Sequence, residues 1–282
     1  MRILIIGGNS SLGSCLKKRF SETNDVVTAG RSNCDIHLDL YDTSSEINFP
    51  PDFDVIIHTA AHFGGNAGKE MLEAETINVL GTLRICEAAR KANAKHFILI
   101  SSIFSLLKED SSQYSIYALS KKHSEEIAKL FCVKHELPLT ILRPSQLYGN
   151  GGNLRMHQPF LYFLVDQAEK GQDINIYGTN DASRNFIFID DVVKVIDAIV
   201  HKKVLGTFNC MFPYDVTYSQ IARAAYAAFK SEGHINFLID KEDIADNIFE
   251  KDNLLYEKID FYPEITIEEG MKKLATYRKS LK

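Results

Sequence analysis

The 282-residue chain lacks three things: a long apolar run at its N-terminus, a C-x-x-C pair and a run of basic residues. The opening "MRILIIGGNSSLG" holds an apolar run of only four residues, Ile3 to Ile6. That is too short for a signal-peptide core or a membrane span, so the expectation is a cytoplasmic protein with no membrane partner. The five cysteines, Cys15, Cys34, Cys86, Cys132 and Cys210, are scattered and odd in number. They read as reduced thiols and argue against a metal site. A formal net charge of -5 without a basic run argues against nucleic acid as a partner, and an anionic ligand would need a local cationic site.

What is present is an alternation of short apolar runs with amphipathic stretches. "RILII" (2–6), "DVVTA" (25–29), "DVIIH" (54–58), "HFILI" (96–100) and "PLTIL" (138–142) are rich in Ile and Val and continuous, as buried strands are. Between them, residues 12–20, about 69–92 and about 115–135 read as helices. The βαβαβ order predicts an α/β fold, a doubly wound parallel sheet with helices on both faces. From residue 149 the texture changes. "YGNGGN" is a loop by composition, followed by a helix at about 158–170, a strand "DINIYG" and a strand at 186–189. "DDVVKVIDAIVHK" reads as a helix with Asp at its N-cap. A second, smaller lobe follows from this change, without a flexible linker.

The first strand runs into "GGNSSLG" and then into a helix. Backbone N–H groups and the helix dipole at such a junction favour phosphate. Gly7 permits the tight turn and Gly13 close helix–strand packing. Ser10 stands where a third glycine would be; its Cβ crowds a pyrophosphate slightly, while its hydroxyl can offer a hydrogen bond. Alone, the loop also fits an ordinary strand-to-helix turn. After the second strand comes "AGRSN" in place of an acid that would bind the ribose 2′-hydroxyl of NAD. Arg31 can pair with a 2′-phosphate through its planar fork, which puts NADP ahead of NAD; a surface arginine is the alternative. Asp39 is placed to receive an adenine amino group, or is a turn aspartate.

Tyr117 and Lys121 stand four apart and share one helix face. A free tyrosine, with a pKa near ~10, is a poor proton shuttle at neutral pH. A nearby positive charge lowers that value and makes an acid/base suited to carbonyl and alcohol interconversion. A solvated Tyr/Lys pair is the bland alternative. Its position argues for the first: "HFILISSIFS" puts Ser101 and Ser102 at the carboxyl end of the fourth strand, where open parallel sheets bind ligands.

These motifs, in order, resemble the extended short-chain dehydrogenases/reductases that act on sugar nucleotides. "IIGGNSSLG", "VIIHTAA", "NVLGTLRICEAAR", "FILISS", "YALSK", "LRPSQLYG" and "SRNFIFIDDV" are similar to the family's landmarks over nearly the whole chain. The resemblance implies a Rossmann-type sheet with a smaller C-terminal substrate lobe. Residues 1–149 would form the dinucleotide-binding domain, with a return of the chain around 185–210, and 150–282 mainly the substrate lobe. It implies Ser102, Tyr117 and Lys121 as catalytic residues. Gly7, Asn9, Ser10, Ser11, Leu12 and Gly13 would hold the cofactor, with Arg31, Asp39, Leu40, Ala60, Ala61 and Asn78. Pro144 would face the nicotinamide end, and His62, Gln146 and Arg184 the substrate, with Arg184 on the nucleotide diphosphate. For His62 a loop histidine bonded to backbone is the competing reading, as is a surface salt bridge for Arg184. The cofactor would be NADP, with NAD possible, the substrate a nucleotide-linked sugar, and the assembly a homodimer.

The interval from Ser102 to Tyr117 is short for this family, which implies a trimmed active-site mouth. The family's dehydratases place an Asp-Glu pair after the catalytic hydroxyl residue; Ile103 and Phe104 stand there, and neither carries a proton. Dehydration is therefore rejected. Reduction of a 4-keto sugar nucleotide is expected first and epimerisation second. A dinucleotide-binding sensor without catalysis would not need the complete Ser/Tyr/Lys set.

Overall fold

The computed structural model describes residues 1–282. Its elements in chain order begin with β1 (Arg2–Ile6), α1 (Ser11–Phe20), β2 (Asp25–Gly30), β3 (Ile36–His37), β4 (Val55–His58) and α2 (Gly68–Glu75). A π-helical turn (Thr76–Leu80) leads into α3 (Gly81–Lys91), then β5 (Phe97–Ile100), a 3-10 turn (Ile103–Leu106), α4 (Ile116–Lys134) and β6 (Leu139–Pro144). Then come β7 (Gln146–Tyr148), α5 (Leu154–His157), α6 (Pro159–Lys170), β8 (Ile174–Tyr177), β9 (Ser183–Arg184), β10 (Phe186–Phe188) and α7 (Ile189–Lys202). The chain ends with β11 (Gly206–Cys210), β12 (Val216–Thr217), α8 (Tyr218–Phe229), β13 (Ile235–Leu238), α9 (Leu254–Ile259) and α10 (Ile267–Ser280).

Two units are distinguished. The first comprises Met1–Pro144, Val193–Cys210 and Asn253–Phe261. It is built on a seven-stranded sheet of order β11-β6-β5-β4-β1-β2-β3, parallel throughout. The five apolar runs of the sequence are its central strands. They are continuous because both faces are covered. Alternate residues Leu4, Ile6, Ile56, Phe97, Leu99 and Ile141 join one core cluster with Ile85, Cys86 and Ala89 of α3 and Ala128 and Cys132 of α4. The intervening Ile3, Ile5, Ile57, Ile98 and Leu142 are equally buried. Each of these side chains contributes about 1.5–3 kcal/mol on burial.

The second unit comprises Ser145–Val192, Met211–Asp252 and Tyr262–Lys282. Its strands pair two by two: β7 with β10 and β8 with β13 in parallel, β9 with β12 antiparallel. Its helices carry more of the burial, with Leu161, Leu164 and Val165 of α6, Ile221 and Ala225 of α8, and Met271 and Leu274 of α10 all hidden. Thr217 caps α8 and Thr266 caps α10, each with a reciprocal bond from Gln220 or Glu269.

Two expectations are corrected. The single helix over about 69–92 is two helices with a π-helical turn between them. The helix of "DDVVKVIDAIVHK" begins at Ile189, so Asp190 and Asp191 lie in its first turn and not at the cap. There Asp191 accepts the backbone N–H groups of Glu264 and Ile265, a bracing role that favours an acid at that spot for reasons besides the helix dipole. No helix is long and apolar enough to cross a membrane.

Candidate active site

The glycine loop leaves β1 at Gly7, whose φ of +84° is the left-handed region that glycine tolerates. A Cβ on Gly7 would lie 2.7 Å from the Ala60 nitrogen, and one on Gly13 would lie 2.2 Å from the Gly7 carbonyl oxygen. The loop therefore turns tightly and lets α1 start directly against the strand end. Ser10 is the N-cap: its Oγ accepts the Gly13 N–H at 2.9 Å and lies 3.0 Å from the Thr59 hydroxyl. The hydroxyl that the sequence offered to a phosphate is thus turned toward the helix and Thr59. Ser11 and Leu12 open the helix, where backbone N–H groups favour an anion. Asn9 bonds the Ser32 carbonyl and so ties this loop to the one after β2.

That second loop carries Arg31, which is exposed. The nearest following acid, Asp35, is spent locally: it accepts the Thr28 N–H at 2.8 Å and the Thr28 hydroxyl at 2.7 Å, and these bonds hold its carboxyl below the usual range. Asp39 accepts the Tyr41 N–H at 3.0 Å, the turn role weighed for it. Leu40 is buried in the core with its side chain against Gly81, so only its backbone is available to a ligand. A glycine-lined turn at a helix N-terminus, with an exposed guanidinium at the end of the next strand, fits a dinucleotide carrying phosphates.

At the same carboxyl edge of the sheet, Ser101 and Ser102 directly follow β5. Ser102 is buried, caps the 3-10 turn and accepts the Phe104 N–H at 3.2 Å. The first turn of α4, capped by Ser115, brings Tyr117 to it. Burial pushes the Tyr117 phenol up to about 12, and a hydrogen bond with Ser102 opposes that rise. Tyr117 is half-buried, and Phe63 stacks on its ring with centroids 4.5 Å apart and planes 13° off parallel. Lys121, one turn along and 3 % exposed, donates to the Ile100 carbonyl at 2.8 Å. Burial brings Lys121 down to about 8, with Glu125 acting in the opposite sense. Contrary to the expectation for this pair, Lys121 does not bring the phenol down: desolvation dominates, and Ser102 is the group that lowers it.

The Asn78 amide is committed to the protein. It accepts the His62 N–H at 2.8 Å and donates to the His62 carbonyl at 2.7 Å and the Ser120 hydroxyl at 2.9 Å. It fixes the loop after β4 against α4. His62 in turn accepts the Gly64 N–H through Nδ1 at 2.9 Å and faces Glu73 at 3.8 Å. Ala60 and Ala61 line the start of this loop, half-buried and exposed, and Pro144 closes β6. Phe63 and the π-helical turn escaped sequence reasoning; the nearest signal was the "HFGG" segment beside His62.

In the second unit Arg184 is 5 % exposed, yet its guanidinium meets no carboxylate. It donates to the Ser183 carbonyl at 2.8 Å and sits 5.2 Å over the Tyr218 ring. The surface salt bridge considered for it is absent. Gln146 donates to Gln158 at 2.9 Å while its own buried Oε1 has no partner. Asn185, beside Arg184, braces the unit by bonding Phe212 through both its N–H and its carbonyl and by reaching Asp215.

The family model for the NAD dependent epimerase/dehydratase family matches residues 3–210. The chain belongs to that family. It is an enzyme of the nicotinamide-dependent, sugar-nucleotide class. A Methanocaldococcus jannaschii protein named for UDP-glucose 4-epimerase activity is 29 % identical over 217 residues, 68 % of this chain and 71 % of that one. UDP-glucuronic acid 4-epimerase from Bacillus cereus, solved in complex with NAD, is 20 % identical with a TM-score of 0.80, covering 100 % of this chain and 97 % of that one. RMD from Pseudomonas aeruginosa, complexed with NADPH, is 17 % identical with a TM-score of 0.81, covering 100 % and 99 %. At such identities the structural likeness establishes the fold, and the epimerase/dehydratase family assignment rests on the sequence match.

Proposed function

We propose that this enzyme reduces a keto group on a nucleotide-linked sugar, a 4-keto sugar in the simplest case, with Tyr117 as the proton donor. The observation that carries this is the meeting of Ser102 and Tyr117 at the carboxyl end of β5, with Lys121 buried one helical turn along. A hydroxyl pair beside a buried cation suits protonation of an oxygen that gains charge as hydride arrives. The exposed Arg31, which favours an exchangeable NADPH, puts reduction ahead of epimerisation. Ser102 would hold the sugar carbonyl through its hydroxyl. Lys121 places a cation one turn from Tyr117 and favours negative charge on the phenolic oxygen as the proton leaves. A bound nicotinamide would supply the hydride.

The glycine loop, Ser11, Leu12 and Gly13 would hold the dinucleotide phosphates. Arg31, with Asp35 withdrawn onto Thr28, supports a 2′-phosphate and hence NADPH. Among the structural neighbours RMD is complexed with NADPH and the Bacillus cereus epimerase with NAD, so the choice rests on Arg31. Arg184, a nearly buried cation without a counter-charge, would take the nucleotide diphosphate. Ile103 and Phe104, in the 3-10 turn, offer no carboxylate for elimination of water. The boundaries of a cofactor unit and a substrate unit, and assembly as a dimer, belong to the same proposal.

A second reading is supported by the names of several relatives and structural neighbours, which are 4-epimerases. An epimerase would keep NAD bound and return the hydride to the other face. The test is purification followed by analysis of the retained cofactor, then NADPH oxidation with 4-keto sugar nucleotides. Turnover of added NADPH is expected. Tightly retained NAD with no such turnover would replace reduction by epimerisation.

A further inference from the structure

Glu125 is the most heavily bonded side chain beside the three catalytic residues, and nothing above uses it. It is 2 % exposed, one turn beyond Lys121 on α4. Its Oε1 accepts the Ser101 hydroxyl at 2.6 Å, the Ser105 hydroxyl at 2.8 Å and the Arg143 Nε at 2.8 Å. Its Oε2 accepts Arg143 Nη2 at 2.5 Å and lies 3.6 Å from Lys129. A carboxylate this enclosed is costly unless such partners are all present. The partners are not scattered. Ser101 precedes Ser102 in the chain and Ser105 follows it by three; Arg143 sits on β6 next to Pro144. One carboxylate thereby ties the end of β5, the 3-10 turn and β6 to the helix that carries Tyr117 and Lys121.

We propose that Glu125 is a positioning residue, which locks the Ser102 strand end onto α4 and keeps the neighbouring Lys121 ammonium charged. The proposal rests on the reading of Ser102, Tyr117 and Lys121 as the catalytic set. The groups facing Lys121 are few. β4 contributes His58, which burial and then the Lys121 charge push down to about 3, so it is neutral. β5 contributes the Ile100 carbonyl, and α4 itself Tyr117 and Glu125. The other elements against α4 reach it elsewhere: α2 through Glu75 at His123, α3 through Cys86 at Cys132, and the π-helical turn through Asn78 at Ser120. Burial pushes the Glu125 carboxyl up, but the bonds from Arg143, Ser101 and Ser105 hold it below its ordinary value, so it is ionised. Its charge thus opposes the desolvation that lowers Lys121, while Arg143 tempers that charge.

Opposite signs follow for two substitutions. In Glu125→Gln the counter-charge is gone and Arg143 repels Lys121, so Lys121 loses its proton at lower pH. In Arg143→Gln the carboxylate is less neutralised, and Lys121 keeps its proton to higher pH. The experiment is a 13Cε NMR titration of Lys121 in ligand-free protein, with thermal unfolding run alongside. The expected midpoint is about 8 in the unaltered protein. It should move down by about one unit in Glu125→Gln and up by about half a unit in Arg143→Gln. In an activity assay the alkaline limb of kcat should move the same way. A brace without electrostatic influence would lower stability in both variants and leave the midpoint still, and that result overturns the proposal. If Glu125→Gln does not fold, the upward shift in Arg143→Gln decides alone. The titration needs no substrate, so its failure leaves the Tyr117 reading intact, whereas an inactive enzyme with the expected titration removes that reading and not this one.

Discussion

Two buried cations divide the molecule's chemistry between them. Lys121, in the first unit, is 3 % exposed and has an ionised carboxylate one helical turn away. Arg184, in the second, is 5 % exposed and has no carboxylate, but the Ser183 carbonyl and the ring and hydroxyl of Tyr218. A buried charge is stable only when matched, and the usual response to mismatch is loss of the proton. Lysine can respond that way and does so in part; arginine cannot. The first cation is therefore completed from within and fits a role in proton chemistry. The second is left to be completed by an anion from outside, and fits a role in binding.

The sharpest break in this contrast comes at the phenol next to Lys121. Tyr117→Phe is expected to lower kcat by about 10²–10⁴-fold while NADPH affinity, read by fluorescence titration, stays near that of the unaltered protein. Activity that survives would detach Lys121 from proton transfer. Next is Arg184→Gln, expected to weaken nucleotide-sugar binding by about 10–100-fold, as loss of charge-assisted bonds to a diphosphate implies. Without ligand, its melting temperature should hold or rise, because no carboxylate is abandoned. A clear drop would mean that the guanidinium is matched internally after all. Arg31→Ala should cut the preference for NADPH over NADH by about tenfold, measured as a ratio of kcat/KM values. The smallest effect concerns stability and pH. Lys121 titrates near 8 when folded and 10.5 when unfolded, so between those values the unfolded chain binds more protons and stability rises with pH. Urea unfolding at pH 7 and pH 9.5 should show the unaltered protein gaining about 1–2 kcal/mol relative to Lys121→Met over this interval. Arg184→Gln should show no such pH-dependent difference.

Much of the first unit could be read directly, because a parallel sheet buried on both faces leaves continuous runs of Ile, Leu and Val. The meeting of Ser102 with Tyr117 was legible for a related reason: strand ends and i,i+4 spacing are local facts with spatial consequences. What escaped depends on partners far apart in sequence. β3 is two residues long and exists through its pairing with Ala29 and Gly30. The second unit's strands form isolated pairs, such as Ile235–Leu238 beside Ile174–Tyr177, which no short-range pattern foretells. Glu125 looked like one more charge on a helix until Ser101, Ser105 and Arg143 closed around it. Ser10 shows the reverse: the substitution was visible, but whether its hydroxyl would face a ligand or cap a helix depended on Thr59, forty-nine residues away.

The carboxamide of Asn78 has the same donor and acceptor as a peptide group, and it engages both backbone groups of His62 as a neighbouring strand would. It works as a counterfeit strand residue set into a helical turn. The loop beyond β4 is thereby held where no strand pairs with it, and the segment bearing Phe63 inherits its footing from a helical turn. Changes in that segment's sequence can alter what it touches while the anchor beneath it stays fixed.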